Sequence, residues 1–206
     1  MKKIILSIIM LSAGVVAMAQ HAPGTVTLQP KVGLNISSMT DADDADPRFG
    51  VAAGAELEYQ VNSFFSISGG ALYSMQGLKG SDDVDVTMKL DYINVPIMAN
   101  FYVVKGLALK AGIQPGFNVN SKLSASENKV SGSVDMGDIT KTVDFSIPMG
   151  ISYEYKNFVV EGRYNLGVTK VFKDKELNIG GESIDLSGTD SKNSVFQFTL
   201  GYKFEL

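Results

Sequence analysis

The chain has 206 residues, a formal net charge of −4, no cysteine, no tryptophan and one histidine. Without cysteine there is neither a disulfide framework nor a thiolate metal site, and an acidic balance argues against a nucleic-acid partner. The length suits one domain.

The first residues read as an export signal. Met1-Lys2-Lys3 is a basic head, Ile4–Val16 an apolar run, and Ala17-Met18-Ala19 a small-x-small cleavage site. A cut after Ala19 leaves Gln20 first, so the domain division is 1–19 for a cleaved signal and 20–206 for the mature domain. The alternative, a membrane anchor, needs about 20 continuous apolar residues, and the run is shorter than that. Removing Lys2 and Lys3 from 18 basic residues leaves 16 against 22 acidic ones, a net charge of −6.

From Val26 onward the pattern has period two, so alternate side chains fall on opposite faces of a strand. Val26, Leu28, Val32, Leu34 and Ile36 share one face of a first run, and Thr27, Gln29, Lys31, Gly33 and Asn35 the other. Phe49–Tyr59 and Phe65–Met75 repeat the pattern. The fourth run breaks phase: Val86, Met88, Leu90 and Tyr92 are even, while Ile93, Val95, Ile97, Ala99 and Phe101 are odd. One inserted residue would do this, which predicts a β-bulge near Tyr92–Ile93. Leu107–Val119, Val143–Tyr155 and Phe158–Val168 follow, and the eighth run ends the chain with Phe196, Phe198, Leu200, Tyr202, Phe204 and Leu206 on one face. Pro30, Pro96, Pro115 and Pro148 fall inside runs and predict local breaks in the ladder.

Short and long connections alternate. Gln60–Ser63, Val103–Lys105 and Lys156–Asn157 are tight; Ser37–Arg48, Gln76–Asp85, Ser121–Lys141 and Lys173–Asn193 are longer and polar. Within the last, Leu177–Ile179 and Ser183–Leu186 around Gly180-Gly181 suggest a small hairpin. The pattern predicts an all-β fold: an eight-stranded antiparallel up-and-down transmembrane β-barrel with short periplasmic turns and longer extracellular loops, located in the outer membrane.

Alternation alone leaves open a soluble lipocalin-like barrel with a lipid inside. Three features favour the membrane. Glu56, Lys110, Glu161 and Arg163 lie mid-strand on the polar face, and a Lys or Arg facing lipid at mid-depth would cost about 2–4 kcal/mol. The runs match the length of a tilted spanning strand. Tyr59, Tyr73, Tyr102, Tyr153, Tyr155 and Tyr202 lie near strand ends, as interface girdles do.

Eight strands make a barrel whose interior is filled by side chains. The expectation is a plugged lumen carrying a polar network of Lys31, Glu56, Glu58, Lys110, Glu161, Arg163 and Lys203. Glu161 and Arg163 would lie beside Lys203 and Lys31, with Glu56 and Glu58 further round. Such a network staples the barrel or, alternatively, forms an ion or proton path.

The segments Lys31-Val-Gly-Leu-Asn-Ile-Ser37, Tyr73-Ser-Met-Gln-Gly77, Leu90-Asp-Tyr-Ile-Asn-Val-Pro-Ile97, Ala111-Gly-Ile-Gln-Pro-Gly116, Glu161-Gly-Arg-Tyr-Asn-Leu-Gly167 and Gly201-Tyr-Lys-Phe204 together resemble the PorT-like outer-membrane β-barrel family of Bacteroidota. The resemblance implies fold and location. Its eponymous branch implies a secretion-accessory role, and Leu206 departs from the usual terminal aromatic.

No enzymatic chemistry stands out. His21 lies outside any run and is a poor triad base. Asp41, Asp43, Asp44 and Asp46 form an acidic loop that is a weak cation candidate; the EF-hand pattern fails, because Asp46 stands where glycine is required and Ala52 where glutamate is. The expected protein is a non-enzymatic envelope structural or surface-interaction protein without cofactor. Its expected partners are outer-membrane lipid, the barrel-assembly machinery and an extracellular or envelope protein met through the loops, with the barrel a monomer. The alternatives are a secretion accessory, a soluble lipid binder or a narrow channel.

Overall fold

The computed structural model describes residues 21–40, 45–80, 85–127, 130–173, 176–179, 182–185 and 190–206. The expected signal segment 1–19 and Asp41, Asp43 and Asp44 lie outside the described residues.

Antiparallel strands run in order around a closed ring. They are β1 (Val26–Met39), β2 (Ala45–Asn62), β3 (Phe65–Gly80), β4 (Asp85–Asn94) and β5 (Ile97–Val104), β6 (Leu107–Glu127), β8 (Val143–Tyr155), β9 (Phe158–Gly167), and β12 (Asn193–Tyr202) and β13 (Phe204–Glu205), with β7 (Val130–Asp135) pairing with β6 and β10 (Glu176–Ile179) with β11 (Glu182–Asp185). Counting β4/β5 and β12/β13 as interrupted single strands, the barrel has eight. The ring closes between first and last, with Lys31 opposite Gly201 and Ile36 opposite Phe196.

Proline sets the interruptions, because it has no N–H for the ladder. Pro30 lies where β1 loses its partner between Leu28↔Phe204 and Lys31↔Gly201, and the freed Lys203 N–H turns to the Asn157 carbonyl at 2.8 Å. Pro96 separates β4 from β5. Pro148 faces a gap in the β6–β8 ladder, between Ala111↔Met149 and Gln114↔Ser146. Pro115 sits opposite the β4/β5 break, its carbonyl accepting from Val95 N–H at 2.8 Å.

Two expectations need correction. The bulge is at the expected height but on the neighbouring strand: Asp91 faces Asn120 and Tyr92 faces Asn118, so Val119 of β6 is the extra residue. The fourth strand keeps its phase, and Leu90 and Tyr92 point into the lumen, not to lipid. The apparent shift arose because the lumen's composition changes from polar to apolar there. The second correction concerns the long connections. Strands extend into them as protruding hairpins: β1 reaches Met39, β2 starts at Ala45, so that Asp46 is a strand residue facing Lys79, and β6 and β7 pair as far as Glu127↔Val130. The expected small hairpin is present as β10–β11; Gly180, Gly181 and Leu186 lie outside the described residues.

One seam is held by side chains. The β2–β3 ladder lapses between Pro47↔Leu78 and Ala52↔Ser74, beside Gly77, whose φ of 127° suits only glycine. Across this gap Asn35 Nδ2 donates to the Met75 carbonyl (3.0 Å) and Ser37 Oγ to that of Gly77 (2.9 Å), and the Arg48 guanidinium donates to that of Gln76. Strand closure is tightest at Gly33, where a Cβ would come within 1.8 Å of the Phe198 carbonyl oxygen.

The burial pattern is inverted relative to a water-soluble domain. Val32, Leu34, Phe49, Leu57, Phe101, Ile113, Ile151, Val160, Phe198 and Leu200 are exposed outside, while charged and amide side chains fill the interior. With the apolar face outward, the interior is a polar lumen and not the apolar pocket of a lipid-carrying soluble barrel. An aromatic girdle marks the turn end, where Phe65 packs on Phe101 (5.1 Å between centroids) and Tyr202 on Phe158 (5.0 Å) and Phe204 (4.7 Å). Tyr59, Tyr73, Tyr153 and Tyr155 face outward as expected; Tyr102 does not, being buried in the lumen.

Candidate functional site: a layered lumen and a protruding sheet

The lumen is built in layers. The central layer draws on β1, β2, β6 and β9, whose inward positions carry Lys31, Glu56, Lys110, and the pair Glu161 and Arg163. Glu56 and Glu161 are 1% and 2% exposed. Lys31 Nζ lies 2.9 Å from Glu56 Oε2 and 3.1 Å from Glu161 Oε2, Lys110 Nζ 2.9 Å from Glu161 Oε2, and Arg163 donates to Glu56 Oε1 at 2.8 Å and to Glu161 Oε1 at 2.6 Å. Two carboxylates are thus shared among three cations. In so dry a site an unpartnered charge would be costly, and the shared geometry offsets that cost.

A second layer lies nearer the turn end. Lys203 Nζ donates to Glu154 Oε2 (2.9 Å) and Tyr102 Oη (3.1 Å) and lies 3.0 Å from Glu58 Oε2. Glu58 also accepts from the Tyr102 hydroxyl and from Ser66 Oγ (2.7 Å). The surplus cation of the central layer is matched by the surplus carboxylate here: Lys31, Lys110, Arg163 and Lys203 face Glu56, Glu161, Glu58 and Glu154. Between the layers, the space bounded by Gln29, Glu58, Asn100, Lys110, Glu154 and Lys203 does not admit a water-sized sphere.

All seven residues expected in the lumen lie there. They form two groups, because Lys203 joins Glu58 and Glu154 and does not lie beside Glu161. Glu154 and Tyr102 also belong to the second layer; Glu154 is not among the expected lumen residues, and Tyr102 was expected in the girdle. The expected set also left out His21, which lies outside the strands as read. Its Nε2 is 3.1 Å from Glu154 Oε1 and its Nδ1 3.7 Å from Glu205 Oε2. The hydrogen bond to Glu154, helped by the two carboxylate charges and opposed by burial and by Lys203, raises the imidazole pKa above its ordinary value. The segment is pinned by Gly24 N–H to the Gln60 carbonyl, 2.7 Å, and Gln60 N–H to that of Thr25, 2.9 Å.

The far mouth is closed differently. Leu90 and Tyr92 meet Met39, Met136, Ile139, Val171 and Phe172 in a buried apolar cap. Segment 136–140 is turned over the opening by Ile139 N–H and Thr140 N–H bonding to the Met136 carbonyl at 3.1 and 3.0 Å. Above it, β3, β4, β6 and β7 continue as a sheet, with Leu78 opposite Met88, Met88 opposite Leu123 and Leu123 opposite Val134. Among the described residues β7 pairs with β6 alone, so its other edge is open. No cluster able to hold a metal ion occurs among the described residues.

A family model described as "Outer membrane protein beta-barrel domain" matches residues 18–173. Among solved structures, Ail, the attachment invasion locus protein of Yersinia pestis, is 16% identical over 88% of this chain and 99% of that one, with a TM-score of 0.50. Neisserial surface protein A is 14% identical over 87% and 97%, with a TM-score of 0.47. At this identity the likeness to Ail is one of fold. Among curated proteins there is no match.

Proposed function

The chain belongs to the outer membrane protein β-barrel domain family, and from that premise we propose that it is a non-enzymatic surface-interaction protein of the outer membrane, exported by a cleaved signal at 1–19. Its barrel is the anchor and its protruding sheet the working part. The observation that carries this reading is the contrast between the two ends of one structure. The lumen is filled by paired charges and capped by apolar side chains, which supports anchoring over transport. The sheet β3–β4–β6–β7 rises past the cap and ends in an open edge, the kind of surface that adds a strand from a partner. The chain's one histidine is engaged by Glu154 and Glu205, which supports a role without acyl-transfer chemistry.

The test is to replace residues 124–133 with a two-residue turn, sparing Ser121, Met136 and Ile139. The shortened barrel is expected to stay heat-modifiable in gel electrophoresis while losing the proteins that crosslink to the native chain on intact cells. An unchanged crosslink pattern would overturn the reading. The PorT-like resemblance supports a second role in secretion, for which a deletion strain losing a class of secreted proteins is the deciding result.

A further inference from the structure

The open edge of β7 carries a symmetry. Val130-Ser131-Gly132-Ser133-Val134 reads the same in both directions. A two-fold contact between identical chains has that property: where residue i meets residue j, j also meets i. Paired antiparallel about Gly132, two copies of this strand set Val130 opposite Val134, Ser131 opposite Ser133 and Gly132 opposite itself. The sequence carries the symmetry one step further in charge, with Lys129 and Asp135 equidistant from Gly132.

The backbone is turned to allow it. Met136 N–H donates to the Ser121 carbonyl at 2.9 Å, continuing the β6–β7 ladder one step past Lys122↔Asp135. Antiparallel bonding recurs at every second residue. Counting back from Met136, the backbone groups of Val134, Gly132 and Val130 are directed at β6. Those of Ser131 and Ser133 are directed at the open edge, where no strand among the described residues meets them. These are the two residues that the symmetric register makes partners, so each Ser131–Ser133 pair closes two N–H···O=C bonds. Gly132 falls on the two-fold axis at a non-bonded position, where opposed backbones approach most closely. Glycine weakens a strand and marks such an approach. On the sheet face above the cap, the row Leu78, Met88, Leu123 ends at Val134, which is 64% exposed. Val130 of a second copy lengthens that row by one.

The axis of this pairing runs perpendicular to the sheet, and the sheet continues the barrel wall. The axis therefore lies in the membrane plane, and the second copy points the opposite way. Barrels in one outer membrane share one orientation, so the pairing joins barrels in facing membranes. We propose that β7 is a homophilic adhesion strand: the β7 edges of two copies on apposed outer membranes pair antiparallel about Gly132 into one continuous sheet. This rests on the surface-interaction reading and names its partner as a second copy of this chain. Each contact is short, so adhesion draws its strength from many copies on two apposed surfaces.

The experiment places the full mature chain in phosphatidylcholine vesicles, with the loops shown to face outward by protease accessibility. Two populations carry different dyes, and two-colour flow cytometry reads their co-clustering. Native vesicles should cluster with native ones and not with protein-free ones. Ser133→Pro removes an edge-facing N–H and spares the β6 ladder, so the barrel should stay heat-modifiable while clustering falls about tenfold or more. Thiols read the register, since the chain has no cysteine. Val130→Cys vesicles mixed with Val134→Cys vesicles should yield a disulfide-linked dimer on treatment with diamide, because opposed residues at a non-bonded position lie within disulfide reach. Val134→Cys vesicles alone should not, because the register sets those two residues about 14 Å apart along the strand. Native vesicles that stay dispersed, clustering indifferent to Ser133→Pro, or linkage of Val134→Cys alone would overturn the proposal. Dispersed vesicles, with crosslinked proteins still lost when 124–133 is replaced, would sink the second copy as partner and leave the surface-interaction reading standing.

Discussion

Arg163 donates to Glu56 at 2.8 Å although the two are 107 residues apart and two strands, β12 and β1, stand between theirs in the ring. The contact spans the lumen and not a ladder, and the same Arg163 holds Glu161 of its own strand. Replacing Arg163 with Met leaves two buried carboxylates with two lysines. Loss of one partner from such a set costs about 3–5 kcal/mol. Urea unfolding in detergent micelles should register the loss as an earlier midpoint with unchanged slope. A midpoint within about 1 kcal/mol of the native one would mean that the network adds little.

The second prediction concerns closure. Gly33→Val would drive a side chain into the Phe198 carbonyl where β1 meets β12. The neighbour is backbone, so it cannot swing aside. The variant should fail to convert to the fast-migrating folded band in electrophoresis. Val32→Ala, one position along and outward, should convert normally.

Depth in the belt gives a third. Leu34 is 59% exposed on the outer face, between Val32 and Ile36. Leu34→Arg should cost about 2–4 kcal/mol near the midplane and less toward either rim. Equilibrium folding into vesicles measures it, with Leu206→Arg at the chain end as the low-cost comparison.

The pH response turns on His21. Its folded pKa is raised, so its bond to Glu154 contributes stability that is full below the unfolded value of about 6.5 and is lost as pH rises through the folded value. The native barrel should therefore lose stability above about pH 6.5 in a step that His21→Ala lacks. Identical pH profiles for the two proteins would remove His21 from the ledger of the periplasmic mouth.

Much of this fold is written in period two. Each of the eight strands shows its outward face in residues such as Phe198 and Leu200 and its inward face in Glu56 or Lys110. The same signal misplaced Leu90 and Tyr92. Their apolar character reads as lipid-facing, yet they belong to the cap, and that cap is assembled from Met39, Met136 and Phe172, which lie far apart in the chain. Tyr102 misled in the same way, since a tyrosine near a strand end suits a girdle and a lumen equally. His21 carries no pattern at all. Only the closed ring brings Glu154 and Glu205 to it. Proline was legible because its effect is local, and Pro30 and Pro96 interrupt the ladder where they stand.

The outer belt distinguishes inside from outside, but it is indifferent to a slip of two residues between neighbouring strands, which keeps every apolar side chain toward lipid. The lumen is not indifferent. Lys31, Glu56, Lys110 and Glu161 come from four different strands, and a two-residue slip moves one of them about 6.8 Å along its strand, beyond reach of its partners. The buried charges thus act as a combination lock on the stagger of the strands: many alignments satisfy the membrane, and one lets the charges cancel.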